Sequence, residues 1–268
     1  MTENEFNRLQ KLAEKGLATE EDLKQLEPYR AKRAILLAAG IGERLKPITI
    51  NAPKPLVKVN GVRMIDTLIN ACIGAGIKDI YVVCGYLAEQ FDVLKYKYPM
   101  IKFIHNPTPA LQNDAGSIAS AWMARDFFEN AYICDADLVV FNPKIIRKYN
   151  YHSNVLGIPT KQCDDWCLTP TCHEFVDEEV FGGSDCYKMV GIYYWTKDDA
   201  KLLAEDIHQT FTARSGGRNL SWELVPNDIY HGKYQVKIIP CKESDVVEID
   251  TFEELKAIDP AYRKVGGE

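Results

Sequence analysis

The first thirty residues carry a narrow apolar stripe. Phe6, Leu9 and Leu12 recur at helical spacing within residues 3–15. Thr19-Glu20-Glu21-Asp22 then reads as a helix start, a hydroxyl cap with acids in the first turn, and Leu23, Leu26 and Tyr29 follow on one face. Two short helices are expected before Arg30, as an appendage (residues 1–31) docked on a main domain (residues 32–268). The alternative is a remnant of a DNA-binding helical module, for which the segment is short and acidic. From Arg33 the pattern changes. Ala34–Ala38 is a continuous apolar run that suits a buried parallel strand, as are residues 80–84, 101–104 and 131–134. Between them lie helical patterns at residues 64–75, 88–96 and 114–128. Strands alternating with helices predict an α/β fold, a mainly parallel sheet with helices on both faces.

Beyond Asp137 the pattern is more mixed. Residues 154–158, 189–195 and 235–239 read as strands, and residues 198–211 and 220–230 as helices. Residues 160–188 are rich in turn formers and predict an irregular insertion or hairpin. Thr251 and Glu254 resemble a capping box that opens a closing helix over residues 251–258.

Composition narrows the class. The 268 residues are 46% hydrophobic and 26% charged, ordinary for a globular chain, and the net charge is −6. That balance argues against a nucleic-acid surface, which is usually basic. No apolar run approaches the roughly 20 residues needed to cross a bilayer, and the polar start is no signal peptide, so a cytoplasmic protein with no membrane partner is expected. Its eight cysteines should then be reduced. Cys72, Cys84 and Cys134 sit in apolar runs and read as core residues. Cys163, Cys167, Cys172 and Cys186, with His173 nearby, lack the paired spacing of a zinc site, and the cysteines read as isolated thiols.

The chemistry-bearing segment is Leu37-Ala38-Ala39-Gly40-Ile41-Gly42-Glu43-Arg44-Leu45-Lys46-Pro47, continuing to Pro53-Lys54-Pro55-Leu56. Two glycines after a buried strand let the backbone turn sharply and bring N–H groups close to an anion. Arg44 and Lys54 add positive charge for a polyphosphate. A dinucleotide fingerprint would need glycine in place of Leu45, and a Walker loop needs Gly-Lys-Ser/Thr, which is absent. A plain strand–turn–helix junction is the competing reading. A second candidate segment, Cys134-Asp135-Ala136-Asp137, follows an apolar strand, where open α/β sheets place ligands. A carboxylate there suits Mg²⁺, and Glu248-Ile249-Asp250 offers further acids.

The glycine segment closely resembles the signature of the sugar-phosphate and related nucleotidyltransferases, Leu-Ala-Ala-Gly-x-Gly-x-Arg-Leu followed by Pro-Lys-Pro-Leu. The resemblance implies a Rossmann-like nucleotidyltransferase fold. It implies that Gly40, Gly42 and Arg44 hold the nucleotide phosphates, that Lys54 contacts the reacting phosphates, and that Leu37 and Ala39 line the base pocket. The two acidic segments resemble that family's split metal site, which implies Asp137 and Asp250 as Mg²⁺ ligands. Asp135 is the weaker candidate. Residues 85–91, Asn113 with Ser117, residues 135–137, Asp165-Trp166 and residues 248–250 are similar to bacterial CTP:phosphocholine cytidylyltransferases. This implies that Gly85, Tyr86, Asn113 and Ser117 complete the nucleotide site, and that CTP and a small phosphorylated amino-alcohol are the partners.

A trimethylammonium is held by aromatic faces, for which Trp166 and Trp222 are the candidates, with Tyr194 and Tyr187 in reserve. Core packing is the competing reading for Trp222. Ser221 stands where that family often has tyrosine, which admits a different amine, phosphoethanolamine or 2-aminoethylphosphonate. The expected reaction is in-line attack on the α-phosphorus of CTP, giving CDP-choline and pyrophosphate. Lys54, Arg44 and Asp137 are the catalytic candidates. A sugar-1-phosphate nucleotidyltransferase using UTP or dTTP, and a non-catalytic nucleotide-binding subunit, are the alternatives.

Overall fold

A computed structural model describes residues 1–107 and 116–264. Its strands are β1 (Arg33–Ala38), β2 (Lys58–Val59), β3 (Val62–Arg63), β4 (Asp79–Cys84), β5 (Lys102–His105), β6 (Ala131–Asp135), β7 (Leu138–Val140), β8 (Asn154–Pro170), β9 (Val176–Trp195), β10 (Lys237–Pro240) and β11 (Val246–Glu248). Its helices are α1 (Glu3–Glu14), α2 (Glu20–Leu26), α3 (Met64–Gly74), α4 (Val93–Lys97), α5 (Ile118–Ala124), α6 (Lys197–Ala213) and α7 (Phe252–Ile258). The main sheet has seven strands in the order β10-β8-β9-β6-β1-β4-β5. β6, β1, β4 and β5 run parallel, and β9 is antiparallel to both β6 and β8, so the sheet is mixed.

Strand alternation explains the two covered faces. Leu36, Val82 and Cys134 point into one core, under Ile65, Leu68 and Ile69 of α3. Their neighbours Ile35, Val83 and Ile133 point into the other, under α5 and α6 through Ile118, Ala121, Leu203 and Ile207. Both faces are apolar, which is why these strands read as continuous runs. Cys72, Cys84 and Cys134 are buried, as their apolar runs require. Both N-terminal helices form, capped by Thr2 and Thr19. They bury Phe6, Leu9 and Leu26 against Tyr149.

The second half departs from the sequence pattern. Of the two forms expected for residues 160–188, an irregular insertion or a hairpin, the structure has the hairpin: they form the distal part of one long β8–β9 pair with several register shifts. The turn formers mark those bulges rather than a loss of strand. The helix expected over residues 220–230 shrinks to a π-helical turn, Val225–Ile229, because Pro226 restricts the residue before it and cannot extend a longer helix. The expected helix at 88–96 splits into a 3₁₀ turn, Ala88–Asp92, and the short α4. Asn60-Gly61 makes the tight turn between β2 and β3, with φ of 50° and 84°.

Candidate active site

The glycine loop leaves β1 at the carboxyl end of the sheet. Gly42 has φ of 64°, and a Cβ there would lie 2.9 Å from Thr49 Cγ2 and 3.0 Å from Lys54 Cβ. Only glycine fits both the left-handed backbone and that crowding. Thr49 Oγ1 donates to the Gly42 carbonyl at 2.8 Å and holds the loop closed. Leu37, Gly40, Gly42, Arg44 and Lys54 line one cleft of about 270 Å³, together with Asp137 and Asp250. Ala39, Gly85 and Tyr86 meet beside it. The Tyr86 N–H donates to the Ala39 carbonyl at 3.2 Å, and a Cβ on Gly85 would stand 3.0 Å from Ala39 Cβ. The Tyr86 hydroxyl is tied to the Thr49 and Ile50 carbonyls at 3.0 and 3.1 Å.

The distant acids are brought together by one strand pairing. β11 lies antiparallel to β7, with Glu248 opposite Leu138. The pairing continues as the Ile249 N–H donates to the Asp137 carbonyl at 3.2 Å, which sets Asp250 beside Asp137. The α7 cap fixes it: Glu254 Oε2 accepts from the Asp250 and Thr251 N–H groups, both at 2.8 Å. One oxygen each of Asp137, Glu248 and Asp250 lie within 4.8 Å of one another. Lys54 Nζ donates to Asp137 Oδ2 at 2.6 Å and to Asp250 Oδ1 at 2.7 Å. Burial works against its charge, but Asp137 and Asp250 outweigh it, so the Lys54 pKa is raised. Arg44, 68% exposed, reaches Asp250 Oδ1 at 2.8 Å from the open side.

The acids have spare capacity for a cation. Asp137 Oδ1 is buried and has no hydrogen-bond partner among the described residues. An all-oxygen donor set with such an orphaned atom fits a hard divalent ion.

A second recess of about 280 Å³ shares Arg44 and Asp250 with the first. Its floor is acidic: Asp135, Glu179, Glu223 and Glu248 line it. Burial pushes Asp135 well above the usual carboxylate range, and the negative charges of Glu223, Asp137 and Glu248 add to this. Burial likewise raises Glu179, and lifts Glu223 and Glu248 to about 8 each. Ser117 Oγ donates to Glu223 Oε2 at 3.5 Å and accepts the Trp222 N–H at 2.9 Å, so it holds the turn that presents Glu223. Trp166 is 43% exposed at the mouth, edge-on to Phe181 at 5.5 Å. Asp165 is engaged by the Trp166 N–H at 2.8 Å and by Lys188 at 3.0 Å.

The nucleotidyl transferase family profile matches residues 33–165. The 2-aminoethylphosphonate cytidylyltransferase of Lancefieldella rimae is 36% identical over 232 residues, 85% of this chain and 92% of that protein. The chain belongs to the nucleotidyl transferase family. The choline-phosphate cytidylyltransferase of Streptococcus pneumoniae is 28% identical over 85% of this chain and 96% of its own. A solved CTP:phosphocholine cytidylyltransferase from that organism superposes with a TM-score of 0.77 at 27% identity, covering 87% of this chain and 99% of its own.

In this nucleotidyltransferase the fold gathers Leu37, Gly40, Gly42, Arg44, Lys54, Asp137 and Asp250 around one cleft. Asn113 lies outside the described residues. Trp222 is a correction: it is 1% exposed and edge-on to Tyr193 and Trp195 in the core, so its faces are occupied by protein and not open to an amine. Asp135, expected as the weaker ligand candidate, stays outside the cluster of Asp137, Glu248 and Asp250. β6 ends at Asp135 and the chain bends at Ala136-Asp137, so strand alternation does not relate the two. Asp135 lies in the recess against Gly191, where any Cβ would collide with its carboxylate. Sequence reasoning missed Glu248, although its place two residues before Asp250 was a usable signal. Glu179 and Glu223 carried no signal in their own neighbourhoods.

Proposed function

We propose that the enzyme transfers a cytidylyl group from CTP to a small zwitterion with a phosphonate or phosphate at one end and a primary ammonium at the other, 2-aminoethylphosphonate fitting best. The carrying observation is the recess floor, where half-buried Asp135 and Glu179 join buried Glu223, with no basic side chain lining it except Arg44 among the described residues. A primary ammonium has three N–H donors for such acceptors, and its charge relieves their mutual repulsion. A trimethylammonium has no donors and needs aromatic faces, while here Trp222 is enclosed and Ser221 takes the place of a tyrosine. The 36% identical relative, a 2-aminoethylphosphonate cytidylyltransferase, supports the same choice. Phosphocholine is the second reading, resting on the Trp166–Phe181 pair at the mouth and on the Streptococcus pneumoniae relatives.

With the ammonium in the recess, the acceptor's anionic oxygen points towards Lys54. That oxygen attacks the α-phosphorus of CTP in line, a new P–O bond forms, the α–β bridging P–O bond breaks and pyrophosphate leaves. The nucleophile is already ionised, so no general base is required, and catalysis is positioning plus charge neutralisation. The glycine loop presents backbone N–H groups to the triphosphate, and Lys54 and Arg44 offset repulsion between the two phosphorus groups. Asp137, Asp250 and Glu248 would hold Mg²⁺, which when bound supplies further neutralisation at the phosphates.

The test is a panel of CTP, UTP and dTTP against 2-aminoethylphosphonate, phosphoethanolamine, phosphocholine and hexose 1-phosphates, read by pyrophosphate release. CTP with 2-aminoethylphosphonate should exceed CTP with phosphocholine in kcat/KM by roughly tenfold or more. Equal or better use of phosphocholine overturns the choice of amine.

A further inference from the structure

Three cysteines of the β8–β9 hairpin play no part in this chemistry. Their spacing suggested isolated thiols, yet the fold gathers them: Sγ atoms of Cys163, Cys167 and Cys186 all lie within 4.8 Å of one another. They are 6%, 0% and 2% exposed and make a small cluster of their own against Val180. Gly183, paired with Cys163 across the hairpin, leaves them room. A Cβ there would stand 3.2 Å from Cys167 Sγ and 3.5 Å from Cys186 Sγ.

We propose that Cys163, Cys167 and Cys186 bind one thiophilic d¹⁰ cation, Zn²⁺ or Cu⁺, within the part of the β8–β9 hairpin that carries Asp165, Trp166 and Phe181. The donor set selects the ion class, since soft thiolates favour such metals over Mg²⁺. Metal–sulfur bonds of about 2.3 Å imply sulfur–sulfur separations of roughly 3.8–4.0 Å, so loading needs only small side-chain shifts. Binding displaces one proton from each thiol and forms three metal–sulfur bonds, with no change in oxidation state. Cu⁺ is satisfied by three thiolates. For Zn²⁺ a fourth donor is at hand in the Asp165 carbonyl, which accepts from Cys163 Sγ at 3.4 Å.

Placement gives the site a consequence. Register shifts fall between Cys163 and Trp166 and at Cys167 itself, where the Asp164-Asp165 excursion leaves the regular ladder. Cys186 lies on the opposite strand. A bound ion therefore ties both strands where the ladder is irregular, next to Asp165 and Trp166.

The test titrates full-length, reduced, metal-free enzyme with Cd²⁺ as an optical probe, then competes with Zn²⁺ and Cu⁺. One equivalent of Cd²⁺ should give the ultraviolet thiolate-to-cadmium charge-transfer band with three-thiolate intensity, displaced by either competitor. Occupation of the Asp137, Glu248 and Asp250 site gives no such band. Cys167→Ser should weaken Cd²⁺ affinity at least tenfold, and Cys172→Ser, at an exposed thiol outside the cluster, should leave it unchanged. Because Cys167→Ser could unfold the hairpin, the wild-type titration stands alone as a test, and Cys186→Ala, checked by circular dichroism, is the second variant. The proposal is overturned by absence of the band in wild type, by its survival in a folded Cys186→Ala protein, or by its dependence on Cys172. A disulfide between two of the three in native protein purified anaerobically, detected as a mass loss of two hydrogens, also overturns it.

Discussion

The glycine-loop side of the cleft and the acidic recess beside it touch through Arg44 and Asp250, yet they are assembled differently. The loop side takes most of its lining from residues 37–55, one continuous strand–turn segment. The recess draws Asp135 from the end of β6, Glu179 and Gly191 from β9, and Glu223 from a turn pinned by Ser117. A phosphate needs backbone N–H groups and a cation, which a short segment can supply. The recess, proposed to take the acceptor, depends on convergence of several elements instead.

The difference can be broken first at Lys54. Lys54→Ala removes the cation between Asp137 and Asp250. It should lower kcat about 10³-fold with any acceptor, while circular dichroism shows a folded protein. Near-normal turnover would remove Lys54 from the chemistry. Glu223→Gln should act on one side only, raising the KM for the amine roughly 30-fold while the KM for CTP moves less than about twofold. Parallel rises in both would mean that the recess serves the nucleotide as well. Gly191→Ala should displace the Asp135 carboxylate, costing about tenfold in kcat/KM for the acceptor, with nucleotide affinity retained in a binding titration.

The smallest effect is on stability against pH. Burial, then the charge of Glu179 and Asp137, lifts Glu223 from 4.5 to about 8 in the folded enzyme. A raised carboxylate pKa gives stability that is complete below 4.5 and declines as pH rises towards 8. Glu223→Gln should therefore flatten the fall of Tm between those limits by about 2–4 °C, measured without substrate. An unchanged slope would show that Glu223 is ionised in the empty enzyme.

Legibility followed the same divide. Apolar runs marked β1, β4 and β6 because both of their faces are covered. Hydroxyl–acid caps marked α2 and α7, and both form capping boxes. The Gly40–Arg44 turn and Lys54 were visible because their chemistry lies within one short segment. The distal β8–β9 hairpin was legible only as one of two alternatives, because its register shifts break the alternation by which strands are read. Trp222 looked available because a tryptophan beside a polar serine gives no hint of burial, which Tyr193 and Trp195 impose from another strand.

By itself the sequence determined the α/β alternation, the glycine turn and its cations, and the acids at two strand ends, because each depends on residues a few positions apart. Only the tertiary structure decided that Glu248 joins Asp137 and Asp250, that Asp135, Glu179 and Glu223 share one floor, and that three scattered cysteines meet. Those neighbours are set by the β7–β11 pairing and by the bulged register of β8 on β9. Strand register is a long-range property, in which a shift of one residue turns every side chain to the opposite face.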